Sequence, residues 1–244
     1  PQVGAFIAAA KARGLEVQLQ VQAAIPPGYR VQFGGPEADD QPMLPDGTPL
    51  PERVDRNGSL ASPHVKDYGV ALLKDLAATY PKIDAIRVDW PEYPPYTLDS
   101  WFVDLGPQAR AVAVRLGYDV GRMAADAAAA RHHLLHDLDP PALPDLLAGG
   151  LVSRFPGLGD LLQLKADLVV ALLTAYRAAL PSHIRLIAHA FPPPWAVLGG
   201  MDYGRVGAVV QGLGCKLYTM HWPMMLRQYG EAMRAARPGA DGAA

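Results

Sequence analysis

The sequence is poor in cysteine, has no long apolar run and carries no excess of basic residues. Cys215 is the only cysteine among 244 residues, so no intrachain disulfide can form, and a free thiol is typical of reducing compartments. The longest apolar candidate, residues 168–173, is much shorter than the roughly 18 residues of a membrane span. A net charge of −2 does not match the basic surface of nucleic-acid-binding proteins. These absences predict a cytoplasmic protein that binds neither nucleic acid nor membrane.

The start of the chain shows no signal-peptide pattern, because Lys11 and Arg13 follow the first apolar stretch instead of preceding it. The first residue is Pro1, and residues 3–13 already have the pattern of a helix. The sequence therefore predicts a fragment or a processed chain, with part of the fold missing upstream.

Strand and helix patterns alternate along the chain, and half of the residues are apolar, which is enough to bury a sizeable core. A strand–helix order of this kind favours a parallel sheet. The strands are predicted at residues 15–21, 83–89, 184–190 and 215–220, and the helices at residues 3–13, 63–80, 107 onward, 120–136, 160–180, 203–213 and 224–237.

The second helix has a start signal, since Ser62 is a preferred capping residue and Pro63 suits the first helical position. Its predicted core-facing stripe consists of Val65, Tyr68, Ala71, Leu72, Leu76 and Tyr80.

Residues 26–51 are rich in Pro, Gly and Asp and predict a long loop, which is either functional or a solvated excursion. The tail, residues 238–244, predicts disorder. The polar or aromatic side chains of the loop that could join a site are Tyr29, Arg30, Asp39, Asp40 and Asp46.

The last three predicted strands share an ending, in which an aromatic residue and then proline follow the strand. Trp90, Phe191 and Trp222 are these aromatic residues. The pattern indicates the carboxyl-end loops of a (β/α)8 TIM-barrel, where active sites gather. A complete barrel takes roughly 250 residues, so four strands with long strand-to-helix loops predict an incomplete α/β barrel, with residues 1–237 as a single domain. An open doubly wound sheet is the alternative.

Two carboxylates follow the second strand of the barrel. Asp89 ends the strand and Glu92 comes three residues later, and such a pair can divide the work of a general acid and a nucleophile or base. Arg87 shares the face of Asp89 and could orient it as an ion-pair partner. The alternative is a structural Arg–Asp pair at the barrel rim.

Aromatic and histidine side chains crowd the same strand ends, and aromatic faces stack on sugar rings. A carbohydrate substrate therefore fits better than a charged metabolite, although core packing is an alternative use for several of the rings. Together with Asp89 and Glu92, two of the histidines could form a metal quartet or could hydrogen-bond a neutral substrate, and we predict no metal or other cofactor. The predicted substrate-binding residues are Tyr93, Tyr96, His189, Trp195, Lys216, Tyr218, His221 and Trp222.

Residues 62–68, together with the strand 83–90, resemble the uncharacterised glycosyl-hydrolase-like (β/α) barrel proteins related to the alpha-amylase superfamily. The strand of that family reads Asp-Gly-Ile-Arg-x-Asp, and here Ala85 stands in place of the Gly. The resemblance extends over residues 15–229. It implies that Asp89 is the nucleophile and Arg87 its partner.

The sequence departs from the alpha-amylases at the next strand, which ends in His189 and Phe191 where a general-acid Glu is expected. Either Glu92 takes the acid role, or the missing carboxylate lies outside this chain, or the protein is not a hydrolase. The leading prediction is a glycoside hydrolase acting on carbohydrate. The alternatives are a non-catalytic carbohydrate-binding barrel and a metal-dependent isomerase or hydrolase. The oligomeric state is not predicted.

Overall fold

A computed structural model describes residues 2–24, 38–50, 57–137 and 150–237. Half of the predicted loop, including Tyr29 and Arg30, and the whole predicted tail lie outside these residues. The strands are β1 (Gln18–Gln22), β2 (Ala85–Asp89), β3 (Arg185–Ala190) and β4 (Gly212–Cys215), and the helices are α1 (Gln2–Lys11), α2 (Pro63–Thr79), α3 (Pro107–Leu116), α4 (Val120–His132), α5 (Leu151–Arg154), α6 (Pro156–Ala179), α7 (Trp195–Gly199), α8 (Tyr203–Gly207) and α9 (His221–Ala236).

The four strands form one parallel sheet in the order β1-β2-β3-β4, so each strand lies beside the next one in the chain. One face of the sheet is apolar and buried, with Ile86, Val88 and Leu186 fully enclosed. The opposite face carries Gln20 and Arg87, which are paired in register across β1 and β2. The structure therefore confirms an α/β fold with a parallel sheet, and the described residues show an open sheet and not a closed barrel.

Helix α2 begins as the sequence predicts. Ser62 Oγ accepts a hydrogen bond from the backbone N–H of Val65 at 3.1 Å, and the same hydroxyl donates to Asp40 at 2.7 Å. The predicted stripe is only partly right, because the buried side chains of α2 are Val65, Leu73 and Ala77, while Tyr68 is exposed. Tertiary packing sets this rotation of the helix.

A close approach of α2 to α6 explains the rotation. A Cβ atom at Gly69 would lie 2.1 Å from the Tyr176 hydroxyl, so this glycine admits the Tyr176 ring between the helices. Tyr176 donates to the carbonyl of Ala23, which lies just after β1. The contact fastens α2 and α6 to the apolar side of the sheet.

Strand β4 lies earlier in the chain than predicted. The strand was predicted at residues 215–220 from their apolar and aromatic side chains. The structure instead forms β4 over Gly212–Cys215, and this strand contains two glycines, a residue type that is depleted in strands. Their lack of side chains is required by packing, because a Cβ at Gly214 would lie 2.8 Å from His189 Cδ2. Lys216 and Tyr218 consequently belong to the segment after β4 and not to the strand.

The remaining bounds differ by up to four residues from those predicted, with one larger shift. Helix α8 ends at Gly207, well before the predicted residue 213. Helix α4 ends at His132 and continues as one π-helical turn over His133–Asp137. No helix in the described ranges is both long and apolar enough to cross a membrane.

Candidate functional site

The carboxyl ends of β2, β3 and β4 bring three charged or polar side chains together. Asp89 is the last residue of β2 and pairs in register with His189 of β3. Lys216 follows β4 directly, where its backbone N–H donates to the carbonyl of Ala190 at 2.9 Å. Because the strands are parallel, all three side chains lie at the same edge of the sheet.

Asp89 has two ion-pair neighbours and accepts two hydrogen bonds. Lys216 Nζ lies 2.8 Å from Asp89 Oδ1, and His189 Nδ1 lies 3.3 Å from the same oxygen. The Trp90 backbone N–H donates to Oδ1 at 3.1 Å, and Gln20 Nε2 donates to Oδ2 at 3.1 Å. The Asp89 residue keeps 8% of its surface exposed. These contacts fix both carboxylate oxygens in place.

The turn after Asp89 is strained. Trp90 has a φ of 52°, a left-handed conformation that is rare for a bulky residue and costs about 1–2 kcal/mol. This conformation turns the chain sharply and places the indole ring 4.6 Å from Lys216 Nζ. Such strained residues cluster at functional sites.

Lys216 lies between the carboxyl groups of Asp89 and Glu92 and is covered by aromatic rings. Its ammonium lies 3.7 Å from Glu92 Oε1 and 5.2 Å from the centre of the Phe191 ring, in addition to Asp89 and Trp90. The side chain is fully buried. Cation–π contacts of this kind are stronger when water is excluded, so the rings help to compensate for the loss of hydration.

Glu92 is completely buried. Its Oε1 accepts a hydrogen bond from the Phe191 backbone N–H at 3.1 Å, while Oε2 has no hydrogen-bond partner among the described residues. Burial raises the pKa of Glu92, and the nearby Lys216 ammonium opposes the shift. Gly199 makes the enclosure possible, since a Cβ there would lie 3.1 Å from Glu92 Cγ.

Arg87 is not the ion-pair partner of Asp89. Its side chain makes no ion pair with any described residue, and its Nε is buried without a hydrogen bond in that part of the chain. Lys216 occupies the position beside Asp89 instead. The predicted pairing fails because two residues along a strand separate side chains by about 6.6 Å, whereas the adjacent strand ends place Lys216 in direct contact.

The two histidines have different surroundings. Burial lowers the pKa of His189, although the neighbouring Asp89 opposes the shift. Burial and the Lys216 charge lower the pKa of His221. Within the described ranges, no three His, Cys, Asp or Glu side chains are grouped as metal ligands, so the alternative metal quartet of Asp89, Glu92, His189 and His221 does not form there.

A small cleft lies beside Lys216, with a free volume of about 10 Å³. The Trp195 and Trp222 rings meet edge to face at its side, with their centres 4.3 Å apart. His221 Nδ1 is buried and has no hydrogen-bond partner in the described chain. The full lining is Phe191, Pro192, Trp195, Lys216, His221, Trp222 and Met225.

The three predicted tyrosines lie outside this lining. Tyr93 is buried, and its hydroxyl donates to Asp104 Oδ2 at 3.0 Å, a structural contact. Tyr96 packs edge-on against Trp90, Phe191 and His221 behind the cleft. Tyr218 is 45% exposed, with its ring centre 4.9 Å from that of His221.

Sequence reasoning missed three contributors to the site. Gln20 binds Asp89, Phe191 binds both Glu92 and Lys216, and Met225 lines the cleft. The alternating glutamines of β1 were a signal for a polar pocket, and Phe191 stands at a strand end. Nothing local distinguishes Met225 from an ordinary core residue of an amphipathic helix.

Comparison with known proteins identifies a fold but not a family. No protein-family model matches the sequence, and no curated protein matches it. The fold is similar to that of the β-galactosidase from the psychrophilic Marinomonas ef1, with a TM-score of 0.54 and 15% sequence identity. The match covers 87% of this chain and 32% of that chain, so this chain spans about a third of the β-galactosidase. The likeness shows a shared fold alone, and nothing in it supports a relation to the alpha-amylases.

Proposed function

We propose that this chain carries the active-site part of a glycoside hydrolase, in which Asp89 and Glu92 are the reacting carboxylates. The observation that carries the proposal is the position of these two groups on either side of one buried ammonium, Lys216, at the carboxyl ends of parallel strands. The similarity to part of a β-galactosidase supports carbohydrate as the substrate class, with a β-galactoside as the first candidate.

The proposed roles follow from the surroundings of each carboxylate. Glu92 is the proton donor, because burial raises its pKa and so favours its protonated form. Asp89 attacks the anomeric carbon as the glycosidic C–O bond breaks and the leaving oxygen takes the proton of Glu92. Water then cleaves the resulting ester and returns a proton to Glu92. Lys216 takes the orienting role that the sequence predicted for Arg87.

The distance between the carboxylates suits this two-step course. Lys216 Nζ lies 2.8 Å from Asp89 Oδ1 and 3.7 Å from Glu92 Oε1, so these oxygens are at most about 6.5 Å apart, the sum of the two distances. Retaining enzymes hold their carboxyl groups about 5–5.5 Å apart, and inverting enzymes about 6.5–9.5 Å. The bound on this oxygen pair is compatible with retention of configuration, which the two-step course requires.

The sheet supports a (β/α)8 barrel as the complete architecture. Consecutive parallel strands that lie side by side in chain order are the arrangement of a barrel, and its active sites lie at the carboxyl ends of the strands. The polar face with Gln20 and Arg87 corresponds to the inner side of such a barrel.

Hydrolysis of 4-nitrophenyl glycosides, beginning with the β-galactoside, tests the proposal. Asp89→Asn and Glu92→Gln are each expected to lower kcat/KM at least about 100-fold, because each removes a reacting carboxylate. Asp160→Asn is the matched control, since Asp160 pairs with Arg122 at the surface and contributes little. Full activity of Asp89→Asn would show that this mechanism is wrong.

The complete burial of Glu92 favours a second candidate, a carbohydrate-binding barrel without catalysis. The Gly199 backbone packs against the Glu92 side chain, where an added Cβ would lie 3.1 Å from Cγ. Calorimetry that shows oligosaccharide binding, with no cleavage of any glycoside by the same preparation, would support this candidate over the hydrolase.

A further inference from the structure

Arg87 has no partner in the structure and no role in the proposed mechanism. It lies in the middle of β2, on the polar face of the sheet, and its side chain is half-buried. It makes no ion pair with a described residue, and its buried Nε has no hydrogen bond in that part of the chain. Buried polar groups without partners are uncommon in folded proteins, and each needs an explanation. An arginine without a counterion keeps its donors available for a ligand.

The charges at the carboxyl ends of the strands leave one positive charge without compensation. Lys216 and Asp89 neutralise each other at a distance of 2.8 Å. Glu92 is completely buried, and burial raises its pKa and so favours its uncharged form. The positive charge of Arg87 therefore has no negative counterpart at this end of the sheet among the described residues. An anionic group of a ligand would supply it.

The unpaired guanidinium belongs to the same face as the proposed nucleophile. Arg87 precedes Asp89 by two residues on β2, a spacing of about 6.6 Å along the strand. Its in-register neighbour Gln20 is exposed and donates to Asp89 Oδ2 at 3.1 Å, so this oxygen is reached from the polar face. Burial lowers the pKa of His189, and the charges of Lys216 and Arg87 add to the lowering. A ligand at Asp89 Oδ2 therefore has the Arg87 charge beside it.

A carboxylate is the anion that suits this arrangement. The planar guanidinium binds a carboxylate through two parallel hydrogen bonds, which are stronger than hydrogen bonds between neutral groups. In a hexuronic acid the carboxylate is attached to C5, and only the ring oxygen separates C5 from the anomeric carbon. A uronic acid whose anomeric carbon lies at Asp89 therefore carries its carboxylate within reach of Arg87.

We propose that Arg87 binds the carboxylate of a uronic acid, so that the substrate is a hexuronide, with a β-galacturonide as the acidic counterpart of the β-galactoside. The inference rests on the proposed hydrolase, because it names the sugar that Asp89 attacks. Arg87 is then a specificity-determining residue that contacts the substrate and does not orient the nucleophile.

Galacturonate and galactose are a matched pair of ligands, since they differ only in the carboxylate that replaces the C6 hydroxymethyl group. Calorimetry with the full chain is expected to show saturable binding of galacturonate, at least about ten-fold tighter than that of galactose, because the charged pair adds to the binding. Added salt is expected to weaken the binding of galacturonate and not that of galactose. Equal affinities for the two sugars would overturn the inference.

Variants of Arg87 test the source of the preference. Arg87→Met removes the charge without breaking an ion pair among the described residues, and it is expected to bind the two sugars equally. Arg87→Lys keeps the charge without the planar donors, so its affinity for galacturonate is expected to be intermediate. Arg185→Met is the matched control, because Arg185 lies on the same face at the amino end of β3 and pairs with Glu16. An equal loss of galacturonate binding in this control would indicate a general charge effect and overturn the inference.

The acidic site and the hydrolase can fail separately. Cleavage of 4-nitrophenyl β-galactoside and β-galacturonide with equal kcat/KM, unaffected by Arg87→Met, would overturn the acidic site and leave the hydrolase intact. Galacturonate binding that depends on Arg87, without cleavage of any glycoside, would overturn the hydrolase and leave a uronate-binding site. A preference for the galacturonide that Arg87→Met abolishes would support both.

Discussion

Two lysines of this protein are fully buried, and their surroundings differ. Lys165 on α6 donates to three backbone carbonyls, those of Ser100 at 3.1 Å and of Trp101 and Leu198 at 2.9 Å. Lys216 makes no well-directed hydrogen bond with a described residue and is held by two carboxylates and two aromatic rings.

Both ammonium groups are buried, so burial does not distinguish a structural lysine from a functional one. The groups that surround each ammonium do. The carbonyl oxygens that accept hydrogen bonds from the Lys165 ammonium lie in the short 3-10 helix Leu98–Phe102 and in α7. Lys165 therefore holds these two segments together. The partners of Lys216 are ionisable side chains next to a cleft. Clusters of interacting titratable groups of this kind are typical of active sites.

The largest effect is expected for Lys216→Met. The substitution leaves the buried carboxylates of Asp89 and Glu92 without their common cation, which costs about 3–5 kcal/mol of unfolding free energy. Urea denaturation measures the loss, and glycoside cleavage should fall with it at temperatures where the variant is folded. Wild-type activity in this variant would exclude a role for the lysine in the site.

Lys165→Met is expected to be less harmful and to spare the site. It orphans three carbonyls and lowers the unfolding free energy by about 1–3 kcal/mol, while glycoside cleavage stays near wild type. The same denaturation and cleavage assays apply. If glycoside cleavage fell as far as in Lys216→Met, the distinction between the two lysines would be wrong.

The pH dependence of stability sharpens the comparison. Burial lowers the pKa of Lys165 from 10.5 to about 7, so between these values the unfolded chain binds more protons than the folded one. The contribution of Lys165 to stability therefore rises with pH above about 7, by at most about 1.4 kcal/mol per pH unit. Denaturation at pH 7 to 9 should show a smaller rise for Lys165→Met than for the wild type. Equal slopes would contradict the burial of an ionisable lysine there.

The smallest effect is expected for Gly214→Ala, which tests the packing behind His189. The added Cβ would lie 2.8 Å from His189 Cδ2 and would push the imidazole from Asp89. We expect a loss of about 1 kcal/mol in stability and a several-fold loss in glycoside cleavage. Gly207→Ala is the control, because its Cβ meets only Leu213 at an ordinary 3.8 Å. Unchanged glycoside cleavage by Gly214→Ala would show that the position of His189 does not affect the reaction.

The sequence by itself determined the local structure and the position of the carboxylates along the chain. Alternation and β-branched runs predicted β1, β2 and β3, since these patterns arise within one segment. The cap at Ser62 needs only the atoms of its own turn. The sequence also shows that Asp89 ends a strand and that aromatic residues followed by proline come after it.

Only the tertiary structure decided which groups meet. Lys216 lies beside Asp89 because β4 starts at Gly212. The glycines of β4 permit close packing against β3, but in the sequence alone glycines indicate a turn. The hydrogen bond from Phe191 to Glu92 joins residues 99 positions apart. The cation beside Asp89, the burial of Glu92 and the lining of the cleft depend on such long-range contacts, whose energies no local pattern of residues encodes.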